Sequence, residues 1–270
     1  MSFSLKQNYN KTRDSKVKNN TEILNTKIEY IEYINKKLGH VIPKHIYQTW
    51  NTKTLPFNME NTINNLKRNN PEFEHHLFDN DDCREFIKNN FNKIVLWAYD
   101  SLVPGAYKAD LWRYCILYAR GGIYLDIKYE PVGNFRLDYM IYSEHYTKDI
   151  RENNIYNAFL VCYKKNPVML ACIEQIIINV QNNFYGKNAL FPTGPGLLGV
   201  KIPLIEQVKQ KKIIVDLDHQ QHGEDKYIFH KNKPILKMYA GYYQDLYSNK
   251  DIPRYDTLWN ARSIYRYVEK

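Results

Sequence analysis

Tyr107-Lys-Ala-Asp110-Leu-Trp-Arg113-Tyr-Cys-Ile-Leu-Tyr-Ala-Arg-Gly121-Gly-Ile-Tyr-Leu-Asp126 says more about the architecture of this chain than any other segment. Pro104 ahead of it suits the first turn of a helix. The apolar run then carries that helix to Arg120, and Gly121-Gly122 stops it. A strand is expected over Ile123–Tyr129, with Ile123, Leu125 and Ile127 on one face and Tyr124, Asp126 and Lys128 on the other. Asp110 and Arg113 are three apart and share a face of the helix. Read alone they are an ordinary ion pair, worth about a few tenths of a kcal/mol if exposed. An acid closing an apolar strand of an α/β sheet, however, faces the crevice where such sheets bind ligands. Asp110, Arg113, Gly121, Gly122 and Asp126 together are far more specific than any one of them.

On either side of this segment, short strands alternate with helices, which argues for an α/β sheet. Toward the N-terminus the pattern predicts a helix over Thr21–Leu38, a strand over Val41–Trp50, a helix over Asn58–Asn69, a strand over Phe73–Phe78 and a helix over Asp81–Asn89 capped by the Asp79–Asp82 run. Toward the C-terminus it predicts strands at Met140–Tyr142 and Ala158–Tyr163, a helix over Pro167–Asn183, a turn-rich loop Phe191–Gly196, a short helix from about Leu197, and late strands at Lys212–Leu217 and Tyr227–His230.

Composition bounds the function. The 270 residues are 44% hydrophobic and 25% charged, a globular balance with room for one full core. The net charge of +9 is scattered and not interleaved with aromatics, so an anionic ligand such as a diphosphate is favoured and nucleic-acid binding is not expected. Cys83, Cys115, Cys162 and Cys172 form no CxxC pair and read as free thiols. The start of the chain shows no signal-peptide pattern, and no stretch of 18 apolar residues marks a transmembrane helix, which makes a cytoplasmic location the expectation. The 24 tyrosines suit sugar and nucleotide pockets, though Asn- and Lys-rich sequences are often rich in tyrosine for unrelated reasons. His230, after a short strand, reads more readily as a structural histidine.

Lys108 to Asp126 resembles the DXD-motif glycosyltransferases, among them fungal initiating mannosyltransferases, α-1,4-galactosyltransferases and clostridial glucosylating toxins. Ile42-Pro-Lys-His-Ile-Tyr-Gln-Thr-Trp50, Asn157-Ala-Phe159 and Thr193-Gly-Pro-Gly196 extend the resemblance in the same chain order. It implies a GT-A fold, a mixed central sheet flanked by helices, in one domain over 39–270 with a C-terminal closing segment, preceded by a polar segment and leading helix over 1–38. It implies transfer of a hexose from a nucleotide sugar to a glycan, lipid or protein acceptor, with retention at the anomeric carbon. UDP-sugars stand slightly ahead of GDP-mannose as donor. By the same resemblance, Trp50 lies beside the base, Asp110 and Arg113 bind the donor sugar, and Asp126 contacts ribose, sugar or metal. Trp259 and Asn260, in a variant of the family's closing loop, contribute near the diphosphate. Asn157, Thr193, Gly194 and Gly196 shape the acceptor side.

One departure matters. Where the family's second motif Asp coordinates a divalent metal, this chain has Lys128, which cannot ligate Mn²⁺ or Mg²⁺. Three readings are open. Lys128 itself neutralises the leaving diphosphate, making the site metal-independent; or Glu130 or a tail residue supplies the missing oxygen to a metal held with Asp126; or the chain is an inactive nucleotide-sugar or glycan-binding module. The first has a direct physical basis, because a preorganised cation stabilises developing phosphate charge whether it is an ammonium or a metal.

Overall fold

The computed structural model describes residues 42–210, 212–247 and 253–269. The segment and helix expected over 1–38 lie outside the described residues. The described residues belong to one compact unit, Ile42–Lys270.

The strands are β1 (His45–Thr49), β2 (Glu74–Phe78), β3 (Gly122–Leu125), β4 (Tyr129–Pro131), β5 (His145–Lys148), β6 (Ile155–Cys162), β7 (Val215–His222), β8 (Asp225–His230) and β9 (Lys233–Met238). The helices are α1 (Phe57–Asn69), α2 (Asn80–Asn90), α3 (Lys93–Ser101), α4 (Gly105–Arg120), α5 (Pro167–Gln181), α6 (Pro195–Lys209), α7 (Tyr242–Tyr247) and α8 (Tyr255–Asn260). The described strands form one mixed sheet in the order β2-β1-β3-β6-β5-β7-β8-β9-β4. β1 pairs in parallel with β2 and β3, β3 pairs antiparallel with β6, and β7, β8 and β9 form an antiparallel meander. This is the expected mixed α/β sheet flanked by helices. No described helix is long and apolar enough to cross a membrane.

Local chemistry explains most element boundaries. The Asp79 side chain accepts from the Asp82 N–H while Asp82 answers to the Asp79 N–H, a reciprocal cap that starts α2. Asn166 caps α5, with Pro167 where its missing N–H does no harm. α4 is buried around most of its surface, including Leu111, Trp112, Tyr114, Cys115, Ile116 and Leu117. It ends at Gly121, whose φ of 68° is left-handed and whose Cα faces the Lys164 backbone so closely that a Cβ there would lie 2.5 Å from the Lys164 nitrogen. The pleat then divides the core. Ile46, Ile123 and Val161 face one cluster, while Tyr47, Tyr124, Leu160 and Cys162 face the other with α2 through α6. The four cysteines are free and buried.

The structure corrects several expectations. β3 stops at Leu125, not Tyr129, because Ile127-Lys128 form a turn closed by the Tyr129 N–H on the Asp126 carbonyl at 3.1 Å. Asp126 and Lys128 therefore share a side through a turn rather than through strand alternation. In place of a strand at Met140–Tyr142 there is a 3-10 turn over Leu137–Met140. The short helix from Leu197 is the longer α6, begun at Pro195 with Gly194 as its cap residue. The strand expected over Lys212–Leu217 is β7, shifted to Val215–His222.

Candidate functional site

Asp110 and Arg113 project from the same face of α4 toward β6 and the start of α6. Both are buried, at 8% and 6% exposure, which makes satisfaction of their charges obligatory. Asp110 Oδ1 accepts from Asn157 Nδ2 at 2.8 Å, and Oδ2 accepts from Thr193 Oγ1 at 2.7 Å. Arg113 Nη2 lies 3.3 Å from Asp110 Oδ1. Arg113 Nη1 donates to the Asn157 carbonyl at 2.7 Å and lies 3.5 Å from Asp126 Oδ1. Tyr114 closes the ring of contacts: its hydroxyl donates to the Thr193 carbonyl at 3.0 Å and accepts from Asn157 Nδ2 at 3.3 Å. Three elements distant in sequence are thus tied by one buried network.

The network continues across β3. The Tyr124 hydroxyl donates to Asp126 Oδ1 at 2.7 Å, and the Tyr124 ring lies under the Arg113 guanidinium, 4.3 Å from its centroid. The Lys128 ammonium donates to Asp126 Oδ2. Around Lys128 stand the rings of Tyr129, Tyr156 and Tyr242, with centroids 5.4, 5.5 and 5.8 Å from Nζ. Beyond them, Tyr156 stacks on His219 at 3.8 Å, and His219 Nδ1 lies 3.2 Å from Asp149 Oδ1.

The electrostatics follow from this geometry. Burial pushes the Asp110 carboxyl up, and Arg113, Thr193 and Asn157 only partly offset it, so it sits above the ordinary carboxylate value. Burial also acts on Asp126, but Lys128 and then Arg113 outweigh it and hold that carboxyl below the ordinary value. Burial disfavours the Lys128 ammonium, yet Asp126 and the tyrosines prevail and raise its pKa, so Lys128 stays charged. Two carboxylates and two cations balance one another within the network.

A divalent cation does not fit this residue set. Asp126 offers one oxygen to Tyr124 and the other to Lys128, and Lys128, a cation, holds the chain position of the second motif residue. Glu130 points its charge elsewhere, with Oε1 3.2 Å from Lys237 Nζ. Among described tail residues, Asp256 pairs with Arg254 and Asp245 accepts from the Tyr239 hydroxyl.

The remaining predicted residues fall around this centre. Trp50 follows β1 and packs, half-buried, against the cluster of Met59, Ile63, Ile127 and Tyr239, to which the turn that carries Lys128 contributes Ile127. Asn157 and Thr193 are the direct partners of Asp110. A Cβ on Gly194 would lie 3.1 Å from Asp110 Oδ2, so that glycine gives the carboxylate its room, whereas Gly196 packs against the Phe191 ring. Trp259 is half-buried, and its indole N–H donates to the Tyr185 carbonyl at 2.7 Å, so that donor is engaged inward. Asn260 is exposed at the end of α8. His230 belongs to another polar group, 3.4 Å from Asp216, which also binds His145.

Residues 56–149 match the family model described as "Glycosyltransferase sugar-binding region containing DXD motif". Over those residues the chain is similar to the sugar-binding region of the DXD glycosyltransferases. Within that region lie Asp110, Arg113, Asp126 and Lys128. Inositol phosphoceramide mannosyltransferase 3 of Schizosaccharomyces pombe is 29% identical over 182 residues, covering 67% of this chain and 50% of that protein. An uncharacterized glycosyltransferase of Acanthamoeba polyphaga mimivirus is 39% identical over 89 residues, covering 32% and 36%. An initiation-specific alpha-1,6-mannosyltransferase of Candida albicans is 33% identical over 91 residues, covering 32% and 24%. The chain thus spans half or less of the length of these relatives. The solved PaToxG glycosyltransferase superposes with a TM-score of 0.50 at 16% identity, over 67% of this chain and 82% of that one. The mixed sheet is accordingly a glycosyltransferase fold of the GT-A type.

Sequence reasoning missed the tyrosines of this network and its surroundings: Tyr114, Tyr124, Tyr129, Tyr156 and Tyr242. Two had a signal available. Tyr114 lies four residues beyond Asp110 on one helix face, and Tyr124 lies two before Asp126 in a stretch that alternates like a strand.

Proposed function

We propose that this chain is a metal-independent hexosyltransferase that moves a sugar from a nucleotide sugar to a hydroxyl acceptor with retention of configuration. The observation that carries the proposal is the Lys128–Asp126–Arg113–Asp110 network, buried charge assembled at the end of β3 inside a glycosyltransferase fold. The mannosyltransferase names of two relatives make GDP-mannose the first donor to test, ahead of the UDP-sugars that the sequence alone favoured. An acceptor hydroxyl on a glycan, a lipid or a protein is compatible with those names.

In this reading the nucleotide base lies near Trp50, Asp110 and Arg113 hold sugar hydroxyls, and Asp126 holds the ribose or sugar. Lys128 faces the diphosphate. As the anomeric carbon–oxygen bond breaks, charge grows on the leaving phosphate, and the ammonium is already placed to receive it. The acceptor oxygen bonds to the same face of the carbon, and its proton passes to the departing phosphate. Asn157 and Thr193 fix Asp110 and Gly194 leaves it room at the boundary of the acceptor side, with Gly196 packed beside them on Phe191. The closing segment with Trp259 and Asn260 would have to reorient to reach the diphosphate, since the Trp259 N–H is engaged with Tyr185.

The test is release of nucleoside diphosphate, and of transferred sugar, from a panel of GDP- and UDP-hexoses. The wild type cleaves at least one donor, and Asp126→Asn, folded by circular dichroism, loses that activity by at least about a hundredfold. An Asp126→Asn protein as active as wild type would remove Asp126 from the mechanism.

A further inference from the structure

At the opposite end of β1 from Trp50, the sheet gathers three side chains that have no part in the donor site. β1 and β2 run parallel, with His45 opposite Glu74 and Tyr47 opposite His76. Residues two apart stand on one face of a strand, so the register alone puts His45, Tyr47, Glu74 and His76 on a common face. His45 Nδ1 lies 3.1 Å from His76 Nε2. Glu74 Oε2 lies 3.3 Å from His45 Nδ1, and Glu74 Oε1 lies 3.5 Å from His76 Nε2. Among the described residues, these are the three His, Cys, Asp or Glu side chains whose ligating atoms fall within 4.8 Å of one another.

Those separations have a chemical meaning. A tetrahedral zinc with ligand bonds of about 2.0–2.1 Å sets its ligand atoms about 3.3 Å apart. The 3.1 Å between the two nitrogens is close to one edge of that tetrahedron; the 3.3 and 3.5 Å separations run to the two different Glu74 oxygens, and one ligand atom from each of the three residues lies within 4.8 Å of the others. Two imidazole nitrogens facing each other at 3.1 Å can also share a proton, but only if one ring presents N–H and the other its lone pair. A metal takes a lone pair from both. The rings are also held in place: Tyr47 is fully buried, and its ring lies 5.1 Å from that of His76 at 18° and 5.9 Å from that of His45 at 30°. A fixed aromatic platform lowers the ordering cost of binding. The Glu74 side chain is 67% exposed, which leaves the trio open to an ion from solvent.

We propose that His45, Glu74 and His76 bind a zinc ion, clipping the edge strand β2 to β1, with solvent in the fourth position. Two nitrogens and one carboxylate oxygen are a zinc donor set. The ion ties residues about thirty apart in sequence and adds a link between the edge strand and β1, beside their backbone pairing and the His75–Gln48 and Thr49–Phe78 hydrogen bonds. This site is separate from Asp126 and makes no demand on the sugar chemistry.

The experiment uses the full chain, stripped with chelator and titrated with zinc alone by calorimetry. The wild type takes up one equivalent, and zinc raises its melting temperature. His45→Gln and His76→Gln, each folded by circular dichroism, bind zinc at least about tenfold more weakly and show no rise in melting temperature. Cobalt in place of zinc gives the wild type the visible bands of a tetrahedral site, which both variants lack. If a variant misfolds, the imidazole resonances of the wild type supply the readout, and those of His45 and His76 shift with zinc. A wild type that takes up no zinc, folded variants that bind it as tightly as the wild type, or His45 and His76 resonances that stay still would overturn the proposal.

Discussion

Asp110 and Asp126 sit in one network, yet burial and neighbours push their acidities in opposite directions. The difference lies in the cations. Asp126 meets Lys128 directly and Arg113 at 3.5 Å, whereas Asp110 has one cation and is otherwise held by neutral donors. A carboxyl whose folded pKa is raised is less at ease ionised in the fold than in the unfolded chain, so above its unfolded value it works against stability. Asp110→Asn removes that cost and keeps the shape, with the amide oxygen accepting from Asn157 and the amide nitrogen donating to Thr193. We predict a melting temperature no lower than wild type by more than about 4 °C, together with loss of sugar transfer. Calorimetric melting and a transfer assay on the same preparation check both halves. The Asp110, Arg113 and Asp126 set was legible in the sequence because charges at helical and strand spacing stand out against an apolar run. Tyr129 and Tyr156 were not, because a buried tyrosine looks like any core aromatic until its hydroxyl partner is known, and these two hydroxyls meet across 27 positions of sequence.

Among the elements, α4 and β3 frame the site, and the turn between them sets where Asp126 falls relative to Arg113. That turn depends on Gly121, left-handed and pressed on the Lys164 backbone. Gly121→Ala forces either the α4 end or the Lys164 segment to move, and neither is a flexible side-chain tip. We predict a loss of about 1–3 kcal/mol in chemical denaturation, with donor cleavage reduced in parallel; an unchanged midpoint would contradict the role given to this turn. The helix and the Gly-Gly stop were readable because local chemistry fixes them. The end of β3 was not. Asp126-Ile-Lys-Tyr129 alternates like a strand, and only the hydrogen bond that closes the turn distinguishes it. β9 was missed for a related reason: Pro234 argues against a strand, but it lies opposite Phe229, beside a register shift that tolerates it.

For the whole molecule, the mixed sheet brings β1, β3 and β6 side by side, so that residues from α4, β3, β6 and the start of α6 converge on one centre. The fold class followed from the alternation of elements, but the sheet order did not, because pairing partners are set by long-range contacts that local pattern does not encode. Everything proposed for the donor site turns on one substitution of charge, an ammonium where a divalent ion would otherwise stand beside the nucleotide sugar. Donor cleavage by the wild type and by Lys128→Asp, each assayed in EDTA and in Mn²⁺, puts that substitution to the test. The wild type is expected to release nucleoside diphosphate equally well in both, while Lys128→Asp is slower by about 10²–10³-fold in EDTA and recovers in Mn²⁺ as its second carboxylate admits the ion. Wild-type cleavage that disappears in EDTA and returns with Mn²⁺ would show instead that a metal, not Lys128, receives the leaving phosphate.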